Sequence, residues 1–472
     1  MTNFLHYILL MRFEMLALGA VVILLLMKIF SDKLSSSVVL GFANVSLLGV
    51  LLAGFFLNAD GILFGGMFVT DTTICFEKCI ITFATLLISL QANSWLKKHD
   101  NYLEFYLLLF SVLIGMYYLL SSGNFLMFYL GLEMATIPLA ALAAFDFGRM
   151  RSAEGAGKMI LSSAFSSAIL LFGLSLIYGT TGSLDFTVVK EMYMFSALQL
   201  FALAFLFVGF AFKISIVPFH LWTADVYEGS PVAITTFLSV VSKGTSVFIF
   251  MTVLYKVFGA GYETWVNILV LLSAVTMTIG NLFAIRQTNI KRFLAFSSIT
   301  QAGYILIGVA SATQQSMSSV IYFILIYIFS NIGAFTVVSI ISDKAGKEDI
   351  DDYKGLYKTN PLLSIILMLA VFSLAGIPPT AGFFGKLFLL TSGASKGLIA
   401  LIIIASLNMV ISLYYYLRIA KAIIVDKNEN AIEHFSSDSS SKIVLAICVI
   451  GILVIGFANF IFEYIHSISF GI

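Results

Sequence analysis

Glu133, Lys213, Lys243 and Lys386 are ionisable residues set inside stretches that are otherwise apolar, and His220 follows Lys213 by seven residues in "FKISIVPFHLW" (212–222). A charged side chain at mid-membrane costs at least about 2.5–3.5 kcal/mol on insertion scales, so several in one chain point to ion or proton handling. Glu133, in "NFLMFYLGLEMATIP", stands about nine residues into its apolar run, and Lys243, in "VVSKGTS", is central to another. Both are too deep to reach water by extending along the interface. Lysine and histidine bind and release protons, so Lys213, His220, Lys243 and Lys386 could form a file of titratable groups, which is how a proton relay is built. Lys158 lies only a few residues into its run and can snorkel to the surface. A structural ion pair is the plain alternative for Glu133 and Lys243, and capping of freed carbonyls is the alternative for His220.

The elements that must position these groups are membrane helices. Of 472 residues, 60% are apolar and only 11% charged, and mean hydropathy is +1.03, whereas soluble domains are about 45–50% apolar and about 25% charged. A helix needs roughly 20 apolar residues to cross the hydrocarbon core. The apolar runs fall near 13–30, 38–57, 73–95, 103–120, 125–145, 156–178, 195–226, 232–255, 265–285, 293–310, 320–341, 362–390, 398–425 and 443–465. The expected fold is therefore an all-α integral membrane protein of about 14 spans. The first run is expected to stay as an uncleaved span, because no small-residue cleavage site follows it.

Basic residues cluster after the odd-numbered runs: Lys28 and Lys33, Lys97 and Lys98, Arg149 and Arg151, Arg286 with Lys291 and Arg292, Lys344 to Lys358, then Lys427 and Lys442. Only Lys190, Lys256 and Lys396 follow the even-numbered ones. Because Lys and Arg near span ends stay cytoplasmic, the odd loops should face the cytoplasm and both termini the periplasm. The net charge of +1 and the scattered basic residues give no nucleic-acid footprint. Cys75, Cys79 and Cys448 lack redox or zinc spacing and read as small buried apolar residues.

Runs seven and twelve are too long for one straight crossing, and each carries proline inside: Pro218, and Pro378 with Pro379 in "AGIPPTAGFFGK" (375–386). Proline removes a backbone donor and displaces a carbonyl, so both helices should break near mid-membrane. Lys213 and His220 then flank a break whose freed carbonyls and water can host charge. The two breaks lie about 160 residues and five spans apart, and an odd offset turns the second copy upside down, the arrangement that marks transport sites in inverted-repeat proteins. The expected domains are 1–101 (spans 1–3), 102–258 (first repeat, spans 4–8), 259–426 (inverted second repeat, spans 9–13) and 427–472 (span 14). The charges are not repeated in register, since a shift of 160 from Lys213 or Lys243 meets Ser373 or Ile403.

Three stretches, "LEMATIP" (132–138), "KISIVPFHLWTADVYEGSPVAITTFLSVVSKG" (213–244) and "GIPPTAGFFGKL" (376–387), resemble the antiporter-like membrane subunits of respiratory complex I (NADH-quinone oxidoreductase). "DVYEGSP" and a lysine rather than a glutamate at 386 favour the N-type branch over the M-type. The L-type is excluded because there is no room for its lateral helix. The resemblance implies that Glu133 and Lys213 form a charged pair, Lys243 is the central proton site, Lys386 the exit-side site, and Lys158 and His220 auxiliary relay positions. Such a pair can switch, because burial disfavours a charged lysine while a nearby carboxylate favours it. The eleventh run carries Ser330 and Asn331 where some relatives have histidine, so a relay there would need water or neutral groups such as Ser297, Thr300 and Gln301.

The resemblance further implies a subunit of a proton-translocating NADH:quinone oxidoreductase in the bacterial inner membrane, with M-type and K-type membrane-arm subunits as partners. With no cluster-binding cysteines, haem-ligand histidine pair or nucleotide loop in this chain, NADH, FMN, iron–sulfur clusters and quinone are expected in partner subunits. Two rivals are a subunit of a multi-subunit sodium/proton antiporter, and a helical scaffold that does not pump.

Overall fold

The computed structural model describes residues 2–30, 35–57, 59–428 and 431–472. Lys33, counted above among the basic loop residues, lies outside them. Thirteen helices among the described residues are long and apolar enough to cross a membrane, and a fourteenth crossing is made by two shorter helices, Pro361–Ala375 and Ala381–Ser395. The expected count of fourteen is thus met, with the twelfth span broken as its prolines require. The seventh is broken too, into Ala197–Ile214 and Leu221–Gly229.

Span ends follow local sequence. The side chain of Asn124 accepts from the Met127 amide at 2.8 Å and opens the fifth span (Phe125–Ala143). Asn289 accepts from Lys291 and Arg292 at the start of the tenth (Ile290–Ser311), and a reciprocal Thr313–Ser316 capping box opens the eleventh (Gln314–Ala345). These side-chain oxygens satisfy amides that have no partner within the helix. Pro361 begins its half-helix, and Gly376 ends it at φ +87°, a left-handed conformation that glycine adopts without a Cβ penalty.

The sixth and eleventh spans run longer than their apolar cores, Met150–Thr181 and Gln314–Ala345 at 32 residues each. Helix-compatible polar residues carry them beyond the hydrocarbon. Two short elements have no apolar run to announce them, an antiparallel hairpin pairing Gly61–Leu63 with Phe68–Thr70 and the helix Phe186–Met192, and the expected fourteenth run 443–465 divides into Ser439–Val454 and a last helix, Asn459–Ile468. The eighth span (Val232–Lys256) contains one wider, π-type turn at Leu238–Ser242, ending immediately before Lys243.

Two compact units emerge. The first comprises 1–213, 229–234 and 241–261; the second comprises 214–228, 235–240 and 262–472. Within the second unit the tenth span is buried along its whole apolar window and the eleventh along 94% of it, so hydroxyls and amides on these helices must find partners inside the protein. That requirement places the polar groups around Lys386.

Candidate functional site

In the first unit, Lys213 occupies the last turn of Ala197–Ile214 and reaches the fifth span, where its Nζ donates to Thr136 Oγ1. Glu133 sits one turn before Thr136 on the same helix. Its Oε1 is enclosed and accepts no hydrogen bond, and no ion pair within 4.0 Å joins it to Lys213. The two expected partners are thus on facing elements but apart, with a neutral hydroxyl taking the ammonium. Thr136 was not foreseen as a site residue; its place in "LEMATIP", three residues after Glu133, was the available signal.

Lys213 also borders a small cavity of about 10 Å³ lined by Leu119, Leu132, Ala135, Ser242, Thr245 and Ser246, roughly the volume that admits one water. Lys243 stands between these hydroxyl-bearing positions of the eighth span and is 2% exposed. The π turn before it adds a residue to the helical register, a feature common at functional sites. Cavity and hydroxyls together offer Lys213 a polar route toward the segment that carries Lys243.

In the second unit, Lys386 is 1% exposed, and its Nζ donates to Leu374 O at 2.7 Å and Ala375 O at 3.0 Å. These are the terminal carbonyls of Pro361–Ala375, left without helical partners by the break. A cation is stabilised there by both the hydrogen bonds and the negative end of the helix dipole. The ammonium also lies 4.7 Å from the centre of the Tyr304 ring.

Neutral polar groups extend from this point. Gln301 Nε2 donates to Leu374 O at 3.0 Å and to Tyr416 OH at 3.3 Å, and Tyr416 OH meets Ser297 Oγ at 2.5 Å. Ser330 Oγ donates to Ser373 Oγ at 2.7 Å, and Ser373 Oγ accepts from the Gly382 amide at 3.2 Å. Lys386, Gln301, Tyr327, Ser330 and Ser373 line a second cavity of about 10 Å³. Of the neutral groups anticipated around the eleventh span, Ser297, Gln301 and Ser330 therefore gather near Lys386. Thr300 lies further along, donating to Asn281 Oδ1 at 3.2 Å, and Asn281 Oδ1 also accepts from Tyr415 OH at 2.8 Å, with the Tyr415 ring 4.6 Å from that of Tyr416. Tyr304, Tyr327 and Tyr416 escaped the sequence reading because tyrosine is ordinary in an apolar helix.

His220 lies in the turn between the halves of the seventh span. It is 5% exposed, and its ring stands beside the freed Pro218 carbonyl without a hydrogen bond of good geometry. The freed backbone is met by others, as when the Val217 amide donates to Thr276 Oγ1 at 3.1 Å. Lys158 lies on the surface of the sixth span, 45% exposed, and pairs with Glu154 one turn away at 2.7 Å. In "DVYEGSP", Asp225 and Glu228 both accept from Arg292 Nη1, at 2.6 and 3.0 Å.

One buried cluster was missed altogether. Arg12 and Glu14, at the start of the first span (Arg12–Phe30), are buried in the first unit, as are Glu77 and Lys78 of the third span (Thr72–Leu96). The cysteines are all free and buried, and Cys75 Sγ accepts from Arg12 Nη2 at 2.9 Å.

Two broken membrane helices, each with a lysine at its break, Lys386 buried and Lys213 partly buried, define an antiporter-like membrane subunit. Residues 122–412 match the family described as NADH:quinone oxidoreductase/Mrp antiporter, transmembrane, and the chain belongs to this family. Among its relatives, NADH-quinone oxidoreductase subunit N of Phocaeicola vulgatus is 48% identical over 409 residues, covering 86% of this chain and 87% of the relative. A chain of respiratory complex I from Thermus thermophilus is 27% identical, with a TM-score of 0.81 over 95% of this chain and 97% of that one. A chain of the Mrp complex from a Dietzia species has a TM-score of 0.87 over 98% and 96% at 20% identity, a likeness of fold alone.

Proposed function

We propose that this chain is the N-type antiporter-like subunit of a bacterial NADH-quinone oxidoreductase and moves protons across the membrane, driven by quinone reduction in other subunits. The observation that carries the reading is that both broken spans meet a lysine held by neutral oxygens: the partly buried Lys213 by Thr136, and the buried Lys386 by the carbonyls of Leu374 and Ala375. A lysine whose counter-ion is absent or remote holds its proton less firmly than an ion-paired one. Such a group can take up a proton when a negative charge approaches and release it when that charge withdraws.

Glu133 supplies the movable charge for Lys213, Lys243 is the central carrier, and Lys386 serves the second unit with Gln301, Ser330 and Ser373 around it. His220 and Lys158 are auxiliary positions. The two five-helix repeats, 102–258 and 259–426, are of opposite orientation, as the odd span offset requires. Both termini face the periplasm of the inner membrane. NADH, FMN, iron–sulfur clusters and quinone bind to partner subunits, among which are the M-type and K-type membrane subunits.

The sodium/proton antiporter reading is less supported, since the Mrp likeness is one of fold while the subunit N relatives match at 48% identity. Purification in mild detergent followed by mass measurement tests the proposal. Neighbouring complex I membrane subunits are expected. Co-purification with cation-antiporter subunits, together with sodium-dependent transport, would overturn it.

A further inference from the structure

The first unit contains four buried charges that the lysine relay does not use. Arg12, Glu14, Glu77 and Lys78 are each at most 2% exposed. Lys78 Nζ donates to Glu14 Oε1 at 2.5 Å, and the ammonium is enclosed by the rings of Phe13, Phe68 and Tyr117 at 5.5, 5.1 and 5.8 Å. Arg12 donates to Leu9 O and to Cys75 Sγ, both at 2.9 Å. Phe68 comes from the short hairpin, and Thr70 at its end contacts Cys75 Sγ at 3.3 Å. The formal charges cancel, two positive against two negative.

Stability alone does not explain such a cluster. Replacing a buried ion pair by apolar groups of similar volume is often neutral or stabilising, so the pair is weak as a structural device. A structural network would also satisfy its oxygens, whereas Glu14 Oε2 and Glu77 Oε1 are enclosed without a hydrogen bond. Asp71, which caps the third span by accepting from the Ile74 amide, pairs with Lys256 at 3.3 Å, and their side chains are 34% and 40% exposed. Glu77 stands on the same helix, six residues after Asp71.

We propose that Arg12, Glu14, Glu77 and Lys78 form a second proton-carrying site of the first unit, opening to water at the Asp71–Lys256 ion pair. This rests on the reading of the chain as a proton-translocating subunit. A proton passes from Lys78 Nζ to Glu14 Oε1: the N–H bond breaks, its electron pair stays on nitrogen, an O–H bond forms, and the ion pair becomes two neutral groups. Glu77 takes up and gives back a proton at its free oxygen on the water side. Arg12 supplies a fixed positive charge. The other titratable groups around the cluster are the thiols of Cys75 and Cys79 and the phenols of Tyr117 and Tyr118.

The decisive variant is Glu14→Gln with Lys78→Met, which removes both charges of the pair at nearly constant volume and leaves neither orphaned. Assembled complex in membranes would be assayed for proton pumping per NADH oxidised, beside Lys243→Met as a separate control. The expected result is normal assembly with pumping reduced several-fold. Wild-type pumping by the double variant, or its failure to assemble, overturns the proposal, because the pair would then be dispensable or structural. If Lys243→Met pumps normally, the central-relay reading fails, and the proposal that rests on it falls with it.

Discussion

The ammonium of Lys213 donates to the hydroxyl of Thr136 and not to the carboxylate of Glu133, one turn away on the same helix. The lysine thus rests on a neutral oxygen, while Glu133, whose Oε1 is enclosed without a hydrogen bond, makes no ion pair with it. On the proposed function this arrangement is the separated form of a pair that also closes, and the difference between the two forms couples an electrical or conformational signal to proton release.

Glu133→Gln removes the charge that draws Lys213 back to its charged form. NADH oxidation and pumping should both fall in membranes matched for assembled complex. Glu133→Asp, which keeps the charge on a shorter arm, should retain more of each. Activity equal to wild type in the Gln variant would reduce the pair to a structural contact.

Thr136→Val keeps the volume and deletes the acceptor for Lys213. An unsatisfied buried donor costs about 1–3 kcal/mol, and closing on Glu133 is the available relief. Pumping should drop because the closed form is favoured, and a second change, Glu133→Gln, should then lower activity further by leaving Lys213 with neither partner. Unchanged pumping in Thr136→Val would mean that the hydroxyl plays no part in the switch.

Gly376→Ala would disturb Lys386 without touching a charge. The residue has φ +87°, and an added Cβ would stand 3.0 Å from Lys386 Cδ; left-handed backbone alone costs a side chain roughly 1–2 kcal/mol. Gly397 has φ +74° but open space around its Cβ position, so Gly397→Ala shares the strain and spares the lysine. Measured side by side, the first should lose pumping and the second should not.

Lys243→Arg and Lys386→Arg keep a positive charge that does not let go of its proton. If these lysines carry protons, both variants should assemble and fail to pump. Full activity in Lys243→Arg would identify a structural cation.

Membrane orientation can be read with phosphatase fusions. A fusion at Ile472 should be active and one within 343–360 inactive. The reverse pattern would invert the assignment of both termini.

The sequence by itself determined the membrane class, the fourteen crossings and the two broken helices, because apolar length and proline act locally: a run of about 20 apolar residues has one way to lie in a bilayer. Lys213, Lys243 and Lys386 were also legible, since a charge inside such a run has no other ready explanation. Only the tertiary structure decided what each charge meets. Thr136 faces Lys213 from a helix 77 residues earlier in the chain, and Tyr304 and Gln301 approach Lys386 from yet another span. The Arg12–Glu14–Glu77–Lys78 cluster was hidden for the same reason. Each member lies within a few residues of a helix start, where a charge is ordinarily solvated, and only the packing of Phe13, Phe68 and Tyr117 around Lys78 closes the water out.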